Sequence, residues 1–294
     1  MADISVVGHI AIDKIITSKG EQTQLGGPPT YVSVLSSSLG RKVRTITKFG
    51  RDMPHGFLTR LGELGIDLKR NLAEDDPTTR FILDYRQPDR SLSVESICEK
   101  IKLEDLEHLS ECVLLTPIVG EIETDELLEL EPEILALDPQ GLVRDIQRDG
   151  SVRYKKWFDE ELLRKLNIYK SSDRELALIT GCDIASGLRR LGRMGIDVAI
   201  ATTGGSGSKI MVGGKVYLVP AFHLKNLLDT TGAGDVFIGA FFLEHVRGED
   251  PLWCASVSSA SASFVVETMG PNIKASQNQI YERAEHIFSE IRRL

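Results

Sequence analysis

The sequence lacks the features that mark several large classes of protein. Its four cysteines stand far apart, with no Cys-x-x-Cys pair and no Cys/His group at the spacing that holds zinc. No apolar run approaches the roughly 20 residues that a membrane-spanning helix needs. Positive charge is also scarce, because the formal net charge is -8, whereas binding to a nucleic-acid backbone depends on clustered Lys and Arg. We therefore expect no zinc module, no membrane association and no nucleic-acid partner.

The first residues also lack the marks of a signal peptide. The segment MADISVVGHIAIDKI has neither a basic region nor a long apolar stretch, and its alternating apolar residues are typical of a first strand. The expected location is the cytoplasm.

Short apolar, β-branched runs alternate with segments in which apolar residues have helical spacing. This alternation predicts an α/β fold with a mostly parallel central sheet covered by helices on both faces. The predicted strands lie at 4–7, 43–47, 113–115, 134–137, 168–169 and 198–201. Three further helices are predicted in the last third of the chain, at 232–246, 251–267 and 277–294.

Two regions interrupt the alternation, at 10–25 and 78–94. Both are rich in β-formers but have polar interiors, and they are too short and hydrophilic to predict a second core. We expect them to pair into a small sheet that lies over one end of the main sheet as a lid; surface hairpins without a function are the alternative. With no linker or repeat in between, residues 1–294 are predicted to form one domain.

The stretch DTTGAGDVF, at 229–237, combines an anion-binding pattern with an acid. Gly232, Ala233 and Gly234 precede a helical pattern, so their backbone amides can form a concave anion site at a helix N-terminus. Asp235 follows them directly. It either caps the helix, as acids often do, or removes a proton from a hydroxyl that attacks a bound phosphate.

This stretch resembles the C-terminal signature of the ribokinase-like (PfkB) carbohydrate kinases, and other motifs of that family follow in its order along essentially the full chain. The segment VGHIAID resembles the family's first-strand motif, and GGPPTYV resembles its double-glycine signature. The segment SDRE stands where the family has its Asn-x-x-Glu motif, and TTGGSG resembles the family's nucleotide-phosphate turn. These segments lie at 7–13, 26–32, 172–175 and 202–207.

The resemblance implies a three-layer α/β/α ribokinase-like fold with a small β-sheet lid, and an ATP- and Mg²⁺-dependent kinase. Asp235 would be the general base, and the amides of 232–234 would stabilise the transferring phosphoryl group. Glu175 would hold Mg²⁺, through water. The implied substrate-binding residues are Asp13, Gly26, Gly27 and Tyr31, and the implied nucleotide-binding residues are Ser172, Thr202, Gly204 and Gly207. Asp229 and Thr231 resemble positions near a monovalent-cation site in some members.

Two positions depart from the family pattern. Ser172 replaces the usual Asn of the Asn-x-x-Glu motif, so hydrogen bonding around the metal and phosphates must differ. Tyr31 stands where many sugar kinases of the family carry a substrate-binding Asn, which weakens a hexose or ribose assignment.

The segment DPQGLVR, at 138–144, resembles the Asp-x-Gln-Gly-x-x-Arg segment of the inositol kinase branch. This resemblance favours a polyol or sugar as the acceptor, myo-inositol above all, and Gln140 as a residue that binds it. The alternative is that the segment is a plain turn after a strand, which explains the same residues. The alternatives are a nucleoside or another sugar as acceptor, and a non-catalytic nucleotide-binding homologue. Since unpaired lid strands invite partners, a homodimer through the lid is also a prediction.

Overall fold

The computed structural model describes residues 4–86, 91–224 and 227–294, and within these ranges the chain forms a large sheet and smaller ones. The strands in chain order are β1 Ile4–Val7, β2 Ala11–Thr17, β3 Gly20–Gly26, β4 Arg44–Ile46, β5 Phe49–Gly50, β6 Leu72–Ala73, β7 Thr79–Asp84, β8 Ser91–Ser96, β9 Cys112–Leu115, β10 Ile134–Leu137, β11 Arg144–Ile146, β12 Val152–Tyr154, β13 Ile168–Ser172, β14 Val198–Thr202, β15 Ser208–Val212, β16 Lys215–Val219 and β17 Arg292–Arg293. The helices are α1 Pro28–Ser38, α2 His55–Glu63, α3 Thr124–Leu128, α4 Glu160–Lys165, α5 Asp173–Thr180, α6 Ile184–Arg193, α7 Ala233–His245, α8 Pro251–Val265 and α9 Gln277–Ser289.

The large sheet has the order β17-β16-β15-β14-β13-β10-β9-β1-β4. Its strands are parallel from β14 to β4, and a hairpin, β15 and β16, extends it in antiparallel fashion with β17 outside. All six predicted strands lie in the parallel part, with bounds within two residues except at β13, which runs three residues further. The carboxyl ends of parallel strands share one edge of a sheet, and open α/β sheets bind ligands there.

Alternate residues of these strands point into two separate cores. In β9, Cys112 and Leu114 pack with α1, α7, α8 and α9, whereas Val113 and Leu115 pack with α3 to α6 on the other face. Both faces of the sheet are therefore covered, as parallel sheets require. The three-layer α/β/α fold predicted from the sequence is confirmed.

The two predicted lid regions pair with each other, in the order β3-β2-β7-β8. One expectation about them was wrong, because this small sheet does have a core: Ile15, Phe81 and Leu83 pack with Val94 and Ile118 on one face. The other face packs on α2 through a second apolar cluster. In the first region, the polar residues that suggested otherwise lie in the turn between β2 and β3 and in the first part of β3, which is exposed from Gly20 to Thr23. The part of the predicted 78–94 region at 87–90 lies outside the described residues.

The C-terminal helix is shorter than predicted. Helix α9 ends at Ser289 rather than at 294, and Arg292–Arg293 then pairs with β16 at the edge of the large sheet. The Leu294 amide donates to the Val216 carbonyl at 2.8 Å, so the chain end covers backbone groups of an edge strand that a continuing helix would leave open. Throughout the described ranges, no helix combines the length and apolar character needed to cross a bilayer.

Candidate active site

The glycine turn before α7 has a backbone that only glycine fits. Gly232 adopts φ 77°, in the left-handed region, and a β-carbon there would stand 2.2 Å from the ring of Tyr31. Helix α7 begins at Ala233, with Gly234 and Asp235 in its first turn, and from Val236 to Glu244 it is buried. The ring of Tyr31 and the buried helix α7 hold the turn in place, and Gly232 and Gly234 line a cavity at the edge of the large sheet. Within the turn, the Ala233 amide donates to the Thr230 carbonyl at 3.4 Å.

Asp235 is held by a glutamine that is itself held by an arginine. The Gln140 Nε2 donates to Asp235 Oδ1 at 2.8 Å, and Arg144 Nη2 donates to Gln140 Oε1 at 2.8 Å. Arg144 also donates to the carbonyl of Ile118 at 2.9 Å. Both ends of the Gln140 amide therefore bind protein groups. The structure shows it beside Asp235, and its predicted contact with substrate stays a prediction.

The surroundings of Asp235 make it a stronger base than an ordinary aspartate. Burial raises its pKa, and the charge of Lys170 and the hydrogen bond from Gln140 offset only part of that effect. A raised pKa brings a carboxylate closer to the value at which a general base is most effective near neutral pH.

An ion pair that the sequence did not indicate lies next to this aspartate. Lys170, in the middle of β13, is 3% exposed, and its Nζ lies 2.6 Å from Oδ2 of the fully buried Asp138. Burial raises the pKa of Asp138 to about 6 although Lys170 opposes that rise. Burial alone would lower the pKa of Lys170, but nearby carboxylates, Asp138 first, raise it overall. A charged residue within the buried strand IYKSS was the one available signal in the sequence.

Ser172 and Glu175 form a reciprocal capping box at the start of α5. The Ser172 hydroxyl accepts from the Glu175 amide at 3.2 Å, and Glu175 Oε2 accepts from the Ser172 amide at 2.8 Å. This arrangement explains Ser-x-x-Glu without any ligand. It also fixes the Glu175 carboxylate at the wall of the cavity that contains Asp235.

These residues fit a magnesium ion that is bound mainly by phosphate and water. The described part of the chain contains no group of three or more His, Cys, Asp or Glu side chains placed to hold a metal. Mg²⁺, however, is usually bound by one or two carboxylates together with substrate phosphates and its own waters. Glu175 at the cavity wall can supply one such carboxylate.

The cavity around Asp235, here called the acceptor cavity, has a volume of about 280 Å³ and lies between the large sheet and the lid sheet. Its polar wall carries Asp13, Gln140 and Arg144, and its lid wall carries the apolar side chains of Phe81, Leu83 and Leu92. Other lining residues include Gly27, Tyr31, Lys170, Ser172, Glu175, Gly232 and Gly234. The lid residues, too, were not predicted as site residues.

The double glycine shapes one end of this cavity. A β-carbon on Gly26 would stand 2.1 Å from Asp13 Oδ2, so the strand pair β2–β3 can hold the Asp13 carboxylate only if residue 26 has no side chain. Gly27 adopts φ 82° at the start of α1, and Tyr31 follows one turn later, 1% exposed. The Tyr31 hydroxyl has no hydrogen-bond partner among the described residues.

A second cavity, here called the donor cavity, adjoins the first and has a volume of about 440 Å³. The two share Thr202, Thr230 and Gly234 as lining residues. The donor cavity is largely apolar, with Ala221, Phe222, Leu224, Phe237, Ala262 and Val266 on its walls. Of the residues predicted to bind nucleotide, Thr202, Gly204 and Gly207 line it, whereas Ser172 lines the acceptor cavity.

The segment just before the glycine turn is tied to the lid sheet. Asp229 accepts from the Thr231 amide at 2.9 Å and from Gln24 Nε2 of β3 at 3.2 Å, and the Thr231 hydroxyl lies 3.2 Å from that of Tyr85. These contacts bring the lid strands to the entrance of the site. The monovalent-cation site near Asp229 and Thr231 stays a prediction.

Comparison with known proteins agrees with this architecture. The model of the pfkB family carbohydrate kinases matches residues 142–278. A cytidine kinase of Thermococcus kodakarensis is 26% identical over 282 residues, which cover 92% of this chain and 98% of the relative. Among solved structures, a pyrophosphate-dependent kinase of the ribokinase family, complexed with a pyrophosphate analog and myo-inositol, is similar with a TM-score of 0.81 and 23% identity, over 95% of this chain and 99% of the other. The ribokinase of Thermotoga maritima is similar with a TM-score of 0.74 and 21% identity, over 99% and 100% of the two chains.

The two structural similarities establish a ribokinase-like fold, and the family model covers the segment that contains the glycine turn, Asp235, Ser172 and Glu175. Residues 142–278 therefore contain a pfkB family carbohydrate kinase domain, and the enzymes of that family are phosphotransferases with an alcohol group as acceptor.

Proposed function

We propose that this kinase transfers the γ-phosphoryl group of ATP to a hydroxyl of a compact polyol or sugar, with myo-inositol as the favoured acceptor. The observation that carries the proposal is the junction of the two cavities. Gly234 lines both of them, and the next residue, Asp235, lines the acceptor side with a raised pKa. A phosphoryl group on the glycine turn would therefore stand between a donor in one cavity and a hydroxyl in the other.

In the proposed reaction Asp235 accepts the proton of the acceptor hydroxyl as its oxygen forms a bond to the γ-phosphorus. The bond between that phosphorus and the β,γ-bridging oxygen breaks, and ADP leaves. The amides of Gly232, Ala233 and Gly234 stabilise the charge on the phosphoryl oxygens in the transition state. The hydrogen bond from Gln140 to one carboxylate oxygen fixes the direction in which the other is presented. A bound Mg²⁺, held in part by Glu175, would neutralise phosphate charge.

The donor cavity supports a nucleoside triphosphate as donor. Its apolar walls, including Phe222 and Val266, suit a purine base, and Thr202, Gly204 and Gly207 line the same cavity as the glycine turn. Pyrophosphate, which the inositol-bound structural relative uses, would leave the apolar part of this cavity unfilled. A pyrophosphate donor is therefore the alternative to test.

The acceptor cavity supports a compact, hydroxyl-rich acceptor. Its volume of about 280 Å³ has to contain both the phosphoryl group and the acceptor. Asp13 and Arg144 offer an acceptor and donors for ring hydroxyls, and the apolar lid wall can cover the C–H face of a ring. A nucleoside is the second candidate, because the similarity to the cytidine kinase extends over 92% of this chain. A non-catalytic role is the weakest alternative, since nucleotide binding alone needs no base beside the anion site.

An acceptor panel tests the proposal. Purified protein with Mg-ATP should release ADP faster with myo-inositol than with ribose, fructose, cytidine or adenosine, and parallel reactions with pyrophosphate should be slow. The Asp235→Asn variant should lose at least about a hundredfold in kcat, because the base is gone, while its affinity for ATP stays nearly unchanged. Preference for cytidine would overturn the cyclitol assignment alone, and near-normal kcat in the variant would remove Asp235 from the role of base.

A further inference from the structure

We propose that Lys170 is a catalytic residue of this kinase, whose ammonium group contacts the phosphoryl group during its transfer and is held in place for that purpose by Asp138. The inference rests on the proposed function and adds to it a positively charged group that comes from the protein itself. Four observations carry it.

The first observation is position. Lys170 lies in the middle of β13, two residues before the strand ends at Ser172, and lines the acceptor cavity together with Gly234 and Asp235. A β-carbon on Gly234 would stand 2.9 Å from its Nζ and 3.9 Å from its Cε. The ammonium group thus lies directly against the turn whose amides would receive the phosphoryl oxygens.

The second observation is hydrogen bonding. An ammonium group has three N–H donors. Among the described residues, Nζ of Lys170 has one hydrogen-bond acceptor, Asp138 Oδ2 at 2.6 Å. Donors therefore remain for a ligand in the cavity, and the single strong contact with Asp138 restricts where the ammonium group can lie.

The third observation is charge. The carboxylates of Asp138, Glu175 and Asp235 all raise the pKa of Lys170, so three negative groups surround the place where a polyphosphate would bind. Nearby positive charge has to offset them, or the donor would be repelled. Arg144 is committed to Gln140 and to the Ile118 carbonyl, which leaves Lys170 as the cation nearest to the turn in the described part of the site.

The fourth observation is the cost of the pair to the fold. Asp138 is fully buried and Lys170 is 3% exposed, and a buried ion pair is often no more stabilising than apolar residues of similar size. Stability alone therefore gives little reason for this pair in a sheet whose neighbouring strands are apolar. Stabilisation of a transferring phosphoryl group does give a reason for the pair, because a preorganised charge in a site with little water acts strongly on the transition state.

The test separates a catalytic contact from a structural ion pair. Lys170→Met removes the charge at similar length and should lower kcat about a hundredfold or more, the size seen when one preorganised donor is lost, with ADP affinity changed by less than about threefold. Lys170→Arg keeps the charge and should recover part of the lost kcat. Lys48→Met is the matched control, because Lys48 is a largely buried lysine paired with Glu99 and Asp105 away from the site, and it should leave kcat unchanged.

A folding defect is handled by a second variant. Removing Lys170 alone leaves the Asp138 carboxylate buried without its ion-pair partner, which destabilises a fold strongly. The double variant Asp138→Asn with Lys170→Met removes both charges, and circular dichroism checks that it folds. It should show the same loss of kcat as Lys170→Met. A folded double variant with kcat close to that of the wild type would overturn the proposal.

A binding measurement distinguishes failure of this inference from failure of the proposed function. Calorimetry gives the gain in affinity from ADP to ATP, which reports on the γ-phosphate without any acceptor. Lys170→Met should reduce that gain, and an unchanged gain together with unchanged kcat would contradict the role of Lys170 while the kinase activity stands. If the wild type binds ATP but phosphorylates none of the acceptors, the proposed function fails. The effect of Lys170→Met on the gain in affinity from ADP to ATP then still tests whether Lys170 contacts the γ-phosphate. A wild type that binds no ATP overturns both.

Discussion

At the scale of single residues, the acceptor cavity contains residues that the sequence singled out, such as Asp235 and Gln140, next to an ion pair that it did not. Asp235 could be predicted because the glycine turn, the acid and the helix that follows are adjacent in the chain. Lys170 and Asp138 are 32 residues apart and meet only because β10 and β13 are neighbours in the sheet. Sequence reasoning places residues well where one local turn positions them, and poorly where strand order does.

Glu121 illustrates the same limit in a residue outside the site. It begins the acidic run EIETDE at 121–126, a pattern typical of the solvated start of a helix, but Glu121 is 1% exposed and precedes the short helix α3. Its carboxylate accepts from the amides of His9, Ile118 and Val119 at 2.8–3.0 Å. Buried loop amides need acceptors, and one buried carboxylate can satisfy several of them at once, which the local charge pattern does not reveal.

A prediction at this scale concerns the cost of the proposed base to the fold. Because the pKa of Asp235 is raised in the folded protein, its carboxylate destabilises the fold at any pH above the ordinary value of 3.8, and protonation on acidification relieves that cost. Asp235→Asn should therefore be more stable than the wild type at neutral pH, and the difference should shrink as the pH is lowered toward 4. Urea unfolding at several pH values measures this. A variant that is less stable at neutral pH would show that the charged form is favoured in the fold.

At the scale of elements, the central strands were the best predicted part of the structure. Parallel strands buried on both faces are continuous apolar runs, so the bounds of β1 and β10 match the sequence pattern to the residue. The lid strands pair as expected, but their core was missed. Its members, such as Ile15 and Phe81, are scattered among polar residues and become a cluster only when β2 and β7 lie side by side.

The lid yields a prediction about acceptor binding. Leu83 lines the acceptor cavity and is 4% exposed, whereas Ile15 is 3% exposed in the same lid core but does not line that cavity. Each change to Ala should destabilise the lid by about 2–5 kcal/mol. Steady-state kinetics should show a KM for the acceptor that rises about tenfold or more in Leu83→Ala, with the KM for ATP nearly unchanged. A similar rise in Ile15→Ala would mean that lid stability, and not contact with the acceptor, sets the KM.

At the scale of the whole molecule, the lid sheet ends in the edge strands β3 and β8. Gly20, Glu21, Gln22 and Thr23 of β3 are exposed, and exposed edge strands are templates for pairing with another chain. The homodimer through the lid stays a proposal, and these residues are the place to test it.

Analytical ultracentrifugation provides the test. The wild type should sediment as a dimer, and the double change Gln22→Lys with Thr23→Lys should shift it to a monomer, because charge on an edge strand opposes pairing. Thermal unfolding of the monomer should be unaffected, since both side chains are exposed. Ser289→Lys, at an exposed position at the end of α9, is the control for added charge and should remain dimeric. A wild type that is monomeric at all concentrations would rule out pairing through this edge.

The fold keeps the proposed chemistry and the proposed recognition in separate hydrophobic clusters. Asp235 lies in the first turn of a helix that is buried in the core of the large sheet, whereas the apolar wall of the acceptor cavity belongs to the lid cluster. A substitution in the lid can therefore reshape the pocket without disturbing the packing that positions the base. Evolution can exchange one acceptor for another in such a molecule while phosphoryl transfer is conserved, and a protein engineer who seeks a new substrate should begin by randomising Phe81, Leu83 and Leu92.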